Sequence, residues 1–595
     1  MQHLSPHTFH IPVMGLAYTI DSPVKVARFG ITSTISITAD RLIEMMRRYY
    51  YGLLETPYIP ISAREEDYRA RRITDYLNLV NRMVKSQVEQ LKASAFKTGS
   101  DIHRYFELLP EDSALKGLYR RLLQTEDEGE RSSLETLLRE GIVPGSIDVN
   151  IMTKVDKDNV DGSGAPLPDG SDALAALRGY AQSDLTNSSI IFSAGLNPRL
   201  YNYLEKLPQF APNEQGAFDK KVVIKVSDYR SALVQGKYLA KKGIWVSEFR
   251  IESGLNCGGH AFASDGYLLG PILEEFKSKK AELSASLFDL YQAAVRAKTG
   301  TAPAAPYPIA LTVQGGIGTA EEDRFLRNYY GVDSTGWGTP FLLVPEATTV
   351  DAETLELLCA ATEGDVELSR NSPLGVRFHY LKGTSSEREK KARAQRGRPG
   401  SPCTEKHLVS NTEFTREPIC TASHKYQQLK LAQLQALDLH PDDYRRQEAA
   451  VLAKECLCVG LSNAAASAYD QVLVKNTEGV TICPGPNIAY FSQQLSLQQM
   501  IDHIYGRQDH LGQPDRPHMF IKELQLYVAY RTELQAEEAA APDAKKARYI
   551  RDFTARLLEG IGYYRQLFQI EEGLSAATRA QVLHELDQWE AGLNS

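Results

Sequence analysis

The chain has 595 residues and a net charge of −8, with 43% hydrophobic and 24% charged residues. This length is too great for one compact core, so we expect two or three domains. The acidic balance argues against a dedicated nucleic-acid-binding protein. The sequence has no signal-peptide pattern and no run of roughly 18 apolar residues, which argues against export and membrane insertion. It therefore predicts a cytoplasmic protein with reduced cysteines.

Short apolar runs alternate with helical patterns over most of the first 365 residues. The first two predicted helices span 22–30 and 39–52. Uninterrupted apolar strands followed by amphipathic helices are typical of a parallel sheet covered by helices. Eight such strands favour an α/β fold of the (β/α)8 type, a closed TIM barrel. The predicted strands are 10–18, 31–37, 146–152, 188–195, 221–227, 245–251, 308–316 and 331–338.

The pattern divides the chain into five predicted regions. The basic run 387–400 lies in a stretch, 383–425, that we interpret as loop. This run is either a solvated mobile loop or a clamp for a phosphorylated partner. The predicted regions are a barrel start at 1–62, a helical insertion at 63–143, the barrel remainder at 144–365, a cysteine-containing, loop-rich extension at 366–490 and a helical C-terminal region at 491–595.

The last two predicted strands both end in glycine-rich loops. The seventh ends VQGGIGTAEED (313–323) and the eighth STGWGTPF (334–341). Phosphate often binds at these two places in a (β/α)8 barrel, because glycine lets backbone N–H groups approach an anion. A helix beginning near Thr319 would add its positive N-terminal end. The two glycine-rich loops together predict phosphate binding. The alternative is that both are purely structural turns.

Several of these segments resemble a known family. GGIGTAEED followed by GVDSTGWGTPFLL resembles the FMN-phosphate segment of nitronate monooxygenase-like flavoproteins, which include 2-nitropropane dioxygenases and flavin-dependent enoyl thioester reductases. NCGGHAF, PVMGLAY and DVNIM resemble further parts of that pattern. The resemblance covers roughly 10–60 and 145–350. Trp337 and Pro340, and Asn256 with Cys257, depart from the pattern where substrate would contact the flavin.

The resemblance implies a bound FMN and assigns residues to it. Met14 and Gly15 would lie near the ring, with Asn150 and Lys225 at its polar edge. A cation at that edge would stabilise the anionic reduced flavin, although Lys225 is equally a solvated lysine at a strand end. The remaining implied contacts are Gly258, Gly259, Gly315, Gly316, Gly318, Trp337, Gly338 and Thr339.

His260 follows two glycines in RIESGLNCGGHAF. An imidazole with an ordinary pKa of about 6.5 exchanges protons at neutral pH. The resemblance implies a general base at this position. A histidine that only hydrogen-bonds the cofactor, or one that does neither, is the alternative.

Five of the seven cysteines fall between 403 and 483. In a reducing compartment such clustering favours a metal or redox role. We take Cys403, Cys420, Cys456 and Cys458 as candidate ligands of zinc or an iron–sulfur cluster, with Cys483 as a further candidate. Reduced, packed cysteines are the alternative.

The sequence thus predicts an FMN-dependent oxidoreductase acting at a carbon next to a nitro, carbonyl or thioester group, with His260 transferring the proton. An enoyl-thioester reductase is one alternative. Another is a phosphate-ligand-binding barrel in a larger complex, with a metal-containing interaction or RNA-modification module. The expected partner is a small molecule or an acyl thioester. NAD(P)H would bind only transiently, since no Rossmann fingerprint is apparent, and homo-oligomerisation is left open.

Overall fold

Eight parallel strands close into a barrel in this computed structural model, which describes residues 5–152, 156–160, 165–193, 195–258, 265–513, 515–570 and 576–594. Neighbours around the barrel follow chain order, and the last strand pairs with the first. Each of the eight predicted runs overlaps one strand, so the predicted (β/α)8 barrel is confirmed. The strands are β1 (Phe9–Ile11), β2 (Thr32–Ser36), β3 (Ile147–Ile151), β4 (Ser188–Phe192), β5 (Lys220–Val226), β6 (Val246–Glu252), β7 (Ala310–Gln314) and β8 (Ser334–Gly336).

Helices surround the barrel in the first 360 residues. Most of these helices follow a barrel strand. An amphipathic helix in that position buries its apolar stripe against the outside of the parallel sheet. The helices are Ser22–Val26, Asp40–Leu53, Tyr68–Ala93, Asp101–Leu108, Ala114–Gln124, Glu128–Glu140, Asp172–Gln182, Pro198–Leu204, Tyr229–Ala240, Leu269–Thr299, Ala320–Tyr330 and Ala352–Ala360, with 3-10 turns at Ala27–Phe29, Pro208–Phe210 and Thr339–Leu343.

The remainder of the chain is mostly helical, as predicted for its end. Two antiparallel strand pairs lie outside the barrel, Asp158–Val160 with Pro166–Ser171 and Val366–Ser369 with Phe378–Leu381. None of the described helices is long and apolar enough to span a bilayer. The C-terminal helices are Ser385–Gln395, His424–Ala436, Pro441–Ala453, Leu457–Gly460, Asn463–Ala468, Leu497–Ile504, Met519–Ala540, Ala544–Ile570 and Ala576–Asn594, with 3-10 turns at Glu363–Asp365 and Pro486–Tyr490.

The loop predicted for 383–425 is wrong over its first part, where Ser385–Gln395 is a helix. The Thr384 side chain caps it by accepting a hydrogen bond from the Glu387 N–H. Lys391 pairs with Glu387, and Arg393 with Glu389, each four residues along the helix. A cap and i,i+4 ion pairs stabilise a charged helix that has no apolar stripe. Hydrophobic periodicity therefore gave no signal for it.

The helix Tyr68–Ala93 begins the predicted insertion and lies against the helix Asp172–Gln182 that follows β3. A Cβ added at Gly179 would stand 2.7 Å from the carbonyl oxygen of Ala70 and 2.8 Å from the Cβ of Ile73. The two helices approach this closely because Gly179 has no side chain. Side chains of both helices belong to the same apolar core as the barrel strands. The predicted domain boundaries stay a prediction.

We expect Gly179→Ala to lower the free energy of unfolding by about 1–3 kcal/mol, the usual range for an added methyl group in a packed site. Gly117→Ala is the matched control, because it also lies inside a helix but a Cβ there meets no heavy atom of the described chain within 4 Å. The control should be neutral or stabilise by up to about 1 kcal/mol. Thermal unfolding of both variants measures this, and equal effects would contradict the close helix contact.

Candidate active site at the barrel mouth

A cavity of about 180 Å³ lies at the carboxyl ends of the barrel strands. Chemistry in (β/α)8 barrels is found at this end. Polar side chains from four strands contribute to its wall: Ser36 of β2, Asn150 of β3, Lys225 of β5 and Glu252 of β6. Gly15 and Gly258 line it from the loops that follow β1 and β6. The predicted residues Gly15, Asn150, Lys225 and Gly258 are therefore brought together, and Met14 is buried next to Gly15.

Three polar side chains converge on one carboxylate at the cavity wall. Glu252 Oε1 lies 3.0 Å from Lys225 Nζ, 2.8 Å from Gln314 Nε2 and 3.0 Å from Asn256 Nδ2. Lys225 is thus held in place by a half-buried ion pair instead of extending into solvent. Sequence reasoning missed Glu252, although its position as the last residue of a barrel strand was an available signal.

Asn150 carries a buried polar atom that no described residue satisfies. Its Oδ1 has no hydrogen-bond partner among the described residues, and the residue is 8% exposed. Leaving such an acceptor unpaired costs about 1–3 kcal/mol. A ligand in this cavity that donates a hydrogen bond at Asn150 would satisfy the acceptor.

The C-terminal half of the chain roofs the cavity. The side chains of Phe378, Leu408, Leu457 and Cys458 form a buried apolar cluster and also line the cavity. His407 lines it too, and its buried Nε2 lacks a partner among the residues described. Burial lowers the pKa of His407 to about 4, so the imidazole is neutral at pH 7. No motif in the sequence distinguished His407.

The loops after β1 and β6 touch backbone to backbone. The Gly15 N–H donates to the Gly258 carbonyl at 3.3 Å, and the Gly258 N–H donates to the Cys483 carbonyl at 2.9 Å. A Cβ at Gly258 would stand 2.6 Å from Gly15 N and from Met14 Cα. Gly259 and His260 lie outside the described residues, so their predicted roles stay predictions.

Cys257 is a packed thiol. Its sulfur donates to the Cys483 carbonyl at 3.4 Å. Burial raises its pKa well above the ordinary value, which keeps the thiol protonated.

The buried carboxyl of Glu523 fixes both flanks of the Gly-Gly-His segment. It accepts hydrogen bonds from the Gly254 N–H at 3.1 Å and from the Leu269 N–H at 2.7 Å. Burial raises the pKa of Glu523 to about 7. His379 also contacts this segment, with Nε2 2.9 Å from the Gly254 carbonyl oxygen. The C-terminal region therefore fixes residues on both sides of the predicted catalytic histidine, at Gly254 and Leu269.

The two glycine-rich loops lie side by side, as phosphate binding requires, but protein groups cover them. Gly315, Gly316, Gly338 and Thr339 line a cavity of about 10 Å³, which is room for about one water molecule. The Thr339 hydroxyl donates to the Pro484 carbonyl at 2.6 Å, so the segment around Pro484 contacts the second loop.

Arg516 and Glu322 contact the loop that follows β7. The Gly318 N–H donates to Glu322 Oε2 at 2.8 Å, and Arg516 Nη2 donates to the Gly316 carbonyl at 2.6 Å. The predicted helix beginning after Thr319 therefore already has a carboxylate at its positive end. Trp337 is buried, with its Nε1–H donating to Thr335 at 3.2 Å. Neither Gly318 nor Trp337 belongs to the described lining of the two cavities.

Of the candidate metal ligands, Cys458 lies in the roof of the cavity, and Cys456 packs against the same apolar cluster. No group of three or more His, Cys, Asp or Glu within the described ranges is arranged to hold a single metal ion. Cys483 lies in the wall of the cavity beside Cys257 and belongs to the same apolar cluster as Cys458.

No family model matches the sequence, and no curated protein matches it. Solved structures with some likeness include the enoyl reductase domain of MlnA from the macrolactin biosynthesis cluster of Bacillus amyloliquefaciens (13% identity, 71% of this chain and 89% of that chain, TM-score 0.31). FabK from Thermotoga maritima shows 13% identity over 68% of this chain and 86% of that chain, with a TM-score of 0.30. Nitroalkane oxidase from Streptomyces ansochromogenes shows 10% identity over 84% and 94%, with a TM-score of 0.31. The assignment of the fold rests on the closed barrel itself.

Proposed function

We propose that the protein is an FMN-dependent oxidoreductase of the nitronate monooxygenase-like class, with the flavin ring bound in the cavity at the barrel mouth. One observation carries this proposal: Asn150, whose buried Oδ1 has no partner among the described residues, lines a cavity that also holds the Lys225–Glu252 pair. A flavin has an N–H donor and carbonyl acceptors on its pyrimidine edge. Asn150 and Lys225 supply the complementary acceptor and donor.

The side chains of the cavity then have separate tasks. FMN, when bound, supplies the transfer of hydride or electrons. Lys225 stabilises negative charge at the pyrimidine edge, and Glu252 fixes the direction of the lysine by holding its ammonium at 3.0 Å. Because the pair is half-buried, the positive charge acts in a medium less polar than bulk water.

The phosphate end of the cofactor belongs at Gly315, Gly316, Gly338 and Thr339. The cavity that these four residues line admits about one water molecule. Phosphate binding at these loops therefore requires the Thr339–Pro484 contact to open, with Gly318 becoming available only if Glu322 releases its N–H. FMN binding should accordingly be accompanied by movement of the segment 483–487.

We further propose that the substrate carries a nitro, carbonyl or thioester group next to the reacting carbon, and that His260 moves its proton. The apolar roof formed by Phe378, Leu408 and Leu457 suits the hydrocarbon part of such a molecule. An enoyl-thioester reductase is the alternative within the same chemistry. Turnover with a panel of nitronates and of enoyl thioesters, the latter with NAD(P)H, distinguishes the two.

Titration with FMN, followed by quenching of flavin fluorescence, tests the cofactor assignment. We expect Lys225→Met to weaken FMN binding about tenfold, since a hydrogen bond to a charged group contributes about 1.5 kcal/mol or more. Lys221→Met is the matched control, because Lys221 lies four positions earlier in β5 and its Nζ donates to Asn187 at 2.8 Å, away from the mouth. Wild-type protein that does not quench flavin, or two variants of equal affinity, would refute the assignment.

A further inference from the structure

We propose that Glu523 is a positioning residue for the Gly-Gly-His segment, residues 253–268, which joins β6 to the helix Leu269–Thr299. Its ionised carboxyl holds the two ends of this segment in place, and protonation of the carboxyl loosens one end and weakens FMN binding. The effect on FMN rests on the proposed function, whereas the hold on the segment does not. Glu523 lies on the helix Met519–Ala540, outside the part of the chain that resembles a flavoprotein family.

The carboxyl of Glu523 reaches both ends of the Gly-Gly-His segment at once. Its Oε1 accepts a hydrogen bond from the Gly254 N–H at 3.1 Å, and its Oε2 accepts one from the Leu269 N–H at 2.7 Å. Gly254 lies two residues beyond the end of β6, and Leu269 is the first residue of the following helix. One side chain from a distant part of the chain therefore fixes the positions of both ends.

The pair of bonds is strongest when the carboxyl is ionised. A carboxylate is an acceptor at both oxygens, whereas a protonated carboxyl carries a donor on one of them. That oxygen would present its hydrogen to a backbone N–H, so either the Gly254 or the Leu269 bond would be weakened. Hydrogen bonds to an ionised acceptor are also roughly twice as strong as those between neutral groups. Uptake of one proton should therefore loosen one end of the segment.

The surroundings of Glu523 supply no cation to hold its charge. The residue is 2% exposed, and no described lysine, arginine or histidine forms an ion pair with it. The adjacent Lys522 pairs instead with Glu363 at 3.0 Å. Burial raises the pKa of Glu523 to about 7, so the carboxyl changes charge near neutral pH.

The other titratable side chains around this contact are neutral or engaged elsewhere. Burial lowers the pKa of His379 to about 4 and raises that of Tyr564 well above its ordinary value, so both are uncharged at pH 7. Asp265, near the end of the segment, accepts a hydrogen bond from Tyr549 at 3.2 Å. The contacts with the segment are His379 Nε2 at 2.9 Å from the Gly254 carbonyl oxygen, Tyr564 accepting from the Gly270 N–H at 3.2 Å, and Tyr527 packed against Gly254.

The Gly-Gly-His segment contacts both parts of the proposed flavin site. Asn256 and Gly258 line the cavity at the barrel mouth. The Ser253 hydroxyl donates to the Gly315 carbonyl at 2.9 Å, and Gly315 belongs to the loop at which we place the phosphate. Gly254 lies next to Ser253, so a displacement of Gly254 would disturb the cavity and the phosphate loop together.

Hydrogen exchange of the FMN-free protein tests the hold on the segment. Glu523→Gln imitates the protonated carboxyl, because an amide has one acceptor oxygen and one donor nitrogen. In the wild type, after correction for the intrinsic effect of pH, the Gly254 and Leu269 amides should exchange about tenfold faster at pH 6 than at pH 8, since a hydrogen bond to a charged acceptor is lost. In Glu523→Gln they should exchange fast at both pH values.

Glu533→Gln is the matched control for this measurement. Glu533 lies on the same helix, and its carboxyl is half exposed beside Arg377. This variant should keep the wild-type exchange profile. Equal corrected exchange of the two amides in all three proteins overturns the proposal. If Glu523→Gln does not fold, the wild-type profile decides, and exchange that does not change between pH 6 and pH 8 overturns the proposal.

FMN titration of the same three proteins tests the link to the cofactor. Between pH 8 and pH 6 the wild type and Glu533→Gln should each lose about tenfold more affinity than Glu523→Gln. A loss shared by all three belongs to other groups, such as the phosphate of FMN, whose second pKa is about 6. Equal losses in the wild type and Glu523→Gln contradict the role of Glu523 in FMN binding. Protein that binds no FMN at either pH refutes the proposed function instead, and hydrogen exchange then decides the hold on the segment by itself.

Discussion

Replacing Gly258 by alanine should lower the free energy of unfolding by about 3 kcal/mol or more and abolish FMN binding. Gly258 has a φ of +76°, and an added Cβ would stand 2.6 Å from backbone atoms of both Met14 and Gly15. Backbone atoms cannot rotate away as a flexible side chain can. The loops after β1 and β6 would therefore separate, and these two loops line the cavity proposed for the flavin.

Gly300→Ala isolates the part of this effect that comes from backbone conformation alone. Gly300 ends the helix Leu269–Thr299 with a φ of +78°, and a Cβ there meets no described heavy atom within 4 Å. The Gly300→Ala variant should lower the free energy of unfolding by only about 1–2 kcal/mol and leave FMN affinity unchanged. Calorimetry and FMN titration of both variants measure the difference. Similar losses in the two proteins would mean that the contact between the loops does not matter.

Arg516→Ala should destabilise the fold by about 3–5 kcal/mol, because it leaves the buried carboxylate of Glu322 without its cation. Arg516 Nη1 lies 2.8 Å from Glu322 Oε1, and Nη2 lies 3.0 Å from Oε2. The two side chains are 4% and 3% exposed. Arg324→Ala is the control, on the helix that carries Glu322. The ion pair of Arg324 with Glu321 is more than half exposed and should contribute less than about 1 kcal/mol.

The same pair predicts a dependence on pH. Burial alone would raise the pKa of Glu322, but Arg516 and the hydrogen bonds to the carboxylate outweigh it, and the pKa lies below the ordinary value. A carboxyl with a lowered pKa in the folded state contributes stability above its unfolded pKa of about 4.3, and that stability is lost as pH falls. The difference in stability between wild type and Arg516→Ala should thus shrink in acid. A constant difference from pH 7 to pH 3 would contradict the ion pair.

The barrel was predictable because its signal is local. Each strand is a short apolar run bounded by turn residues, and eight of them with helices between define the fold. The first run was predicted too long, as 10–18, whereas β1 ends at Ile11. Residues 12–20 are buried turns at the barrel mouth, with Gly15 at a φ of +54°. A buried loop and a buried strand have the same apolar composition, so periodicity cannot separate them.

The candidate site was predictable only where it lies on the barrel. Asn150 and Lys225 are found in the wall of the cavity because strand positions fix which end and which face a side chain occupies. His407 and Arg516 come from parts of the chain with no recognisable motif, and Arg516 reaches Glu322 across 194 residues. The covering of the glycine loops by Pro484 depends on the same kind of long-range contact. The sequence predicted the two loops, but the protein groups that now fill their space carried no local signal.

A crystal structure of the protein saturated with FMN tests whether the flavin binds at the barrel mouth. We expect electron density for the flavin ring in the cavity there, with its pyrimidine edge within hydrogen-bonding distance of Asn150 Oδ1 and Lys225 Nζ, and with Pro484 displaced from Thr339. Density for FMN elsewhere on the molecule, or an empty cavity at saturating FMN, would contradict it.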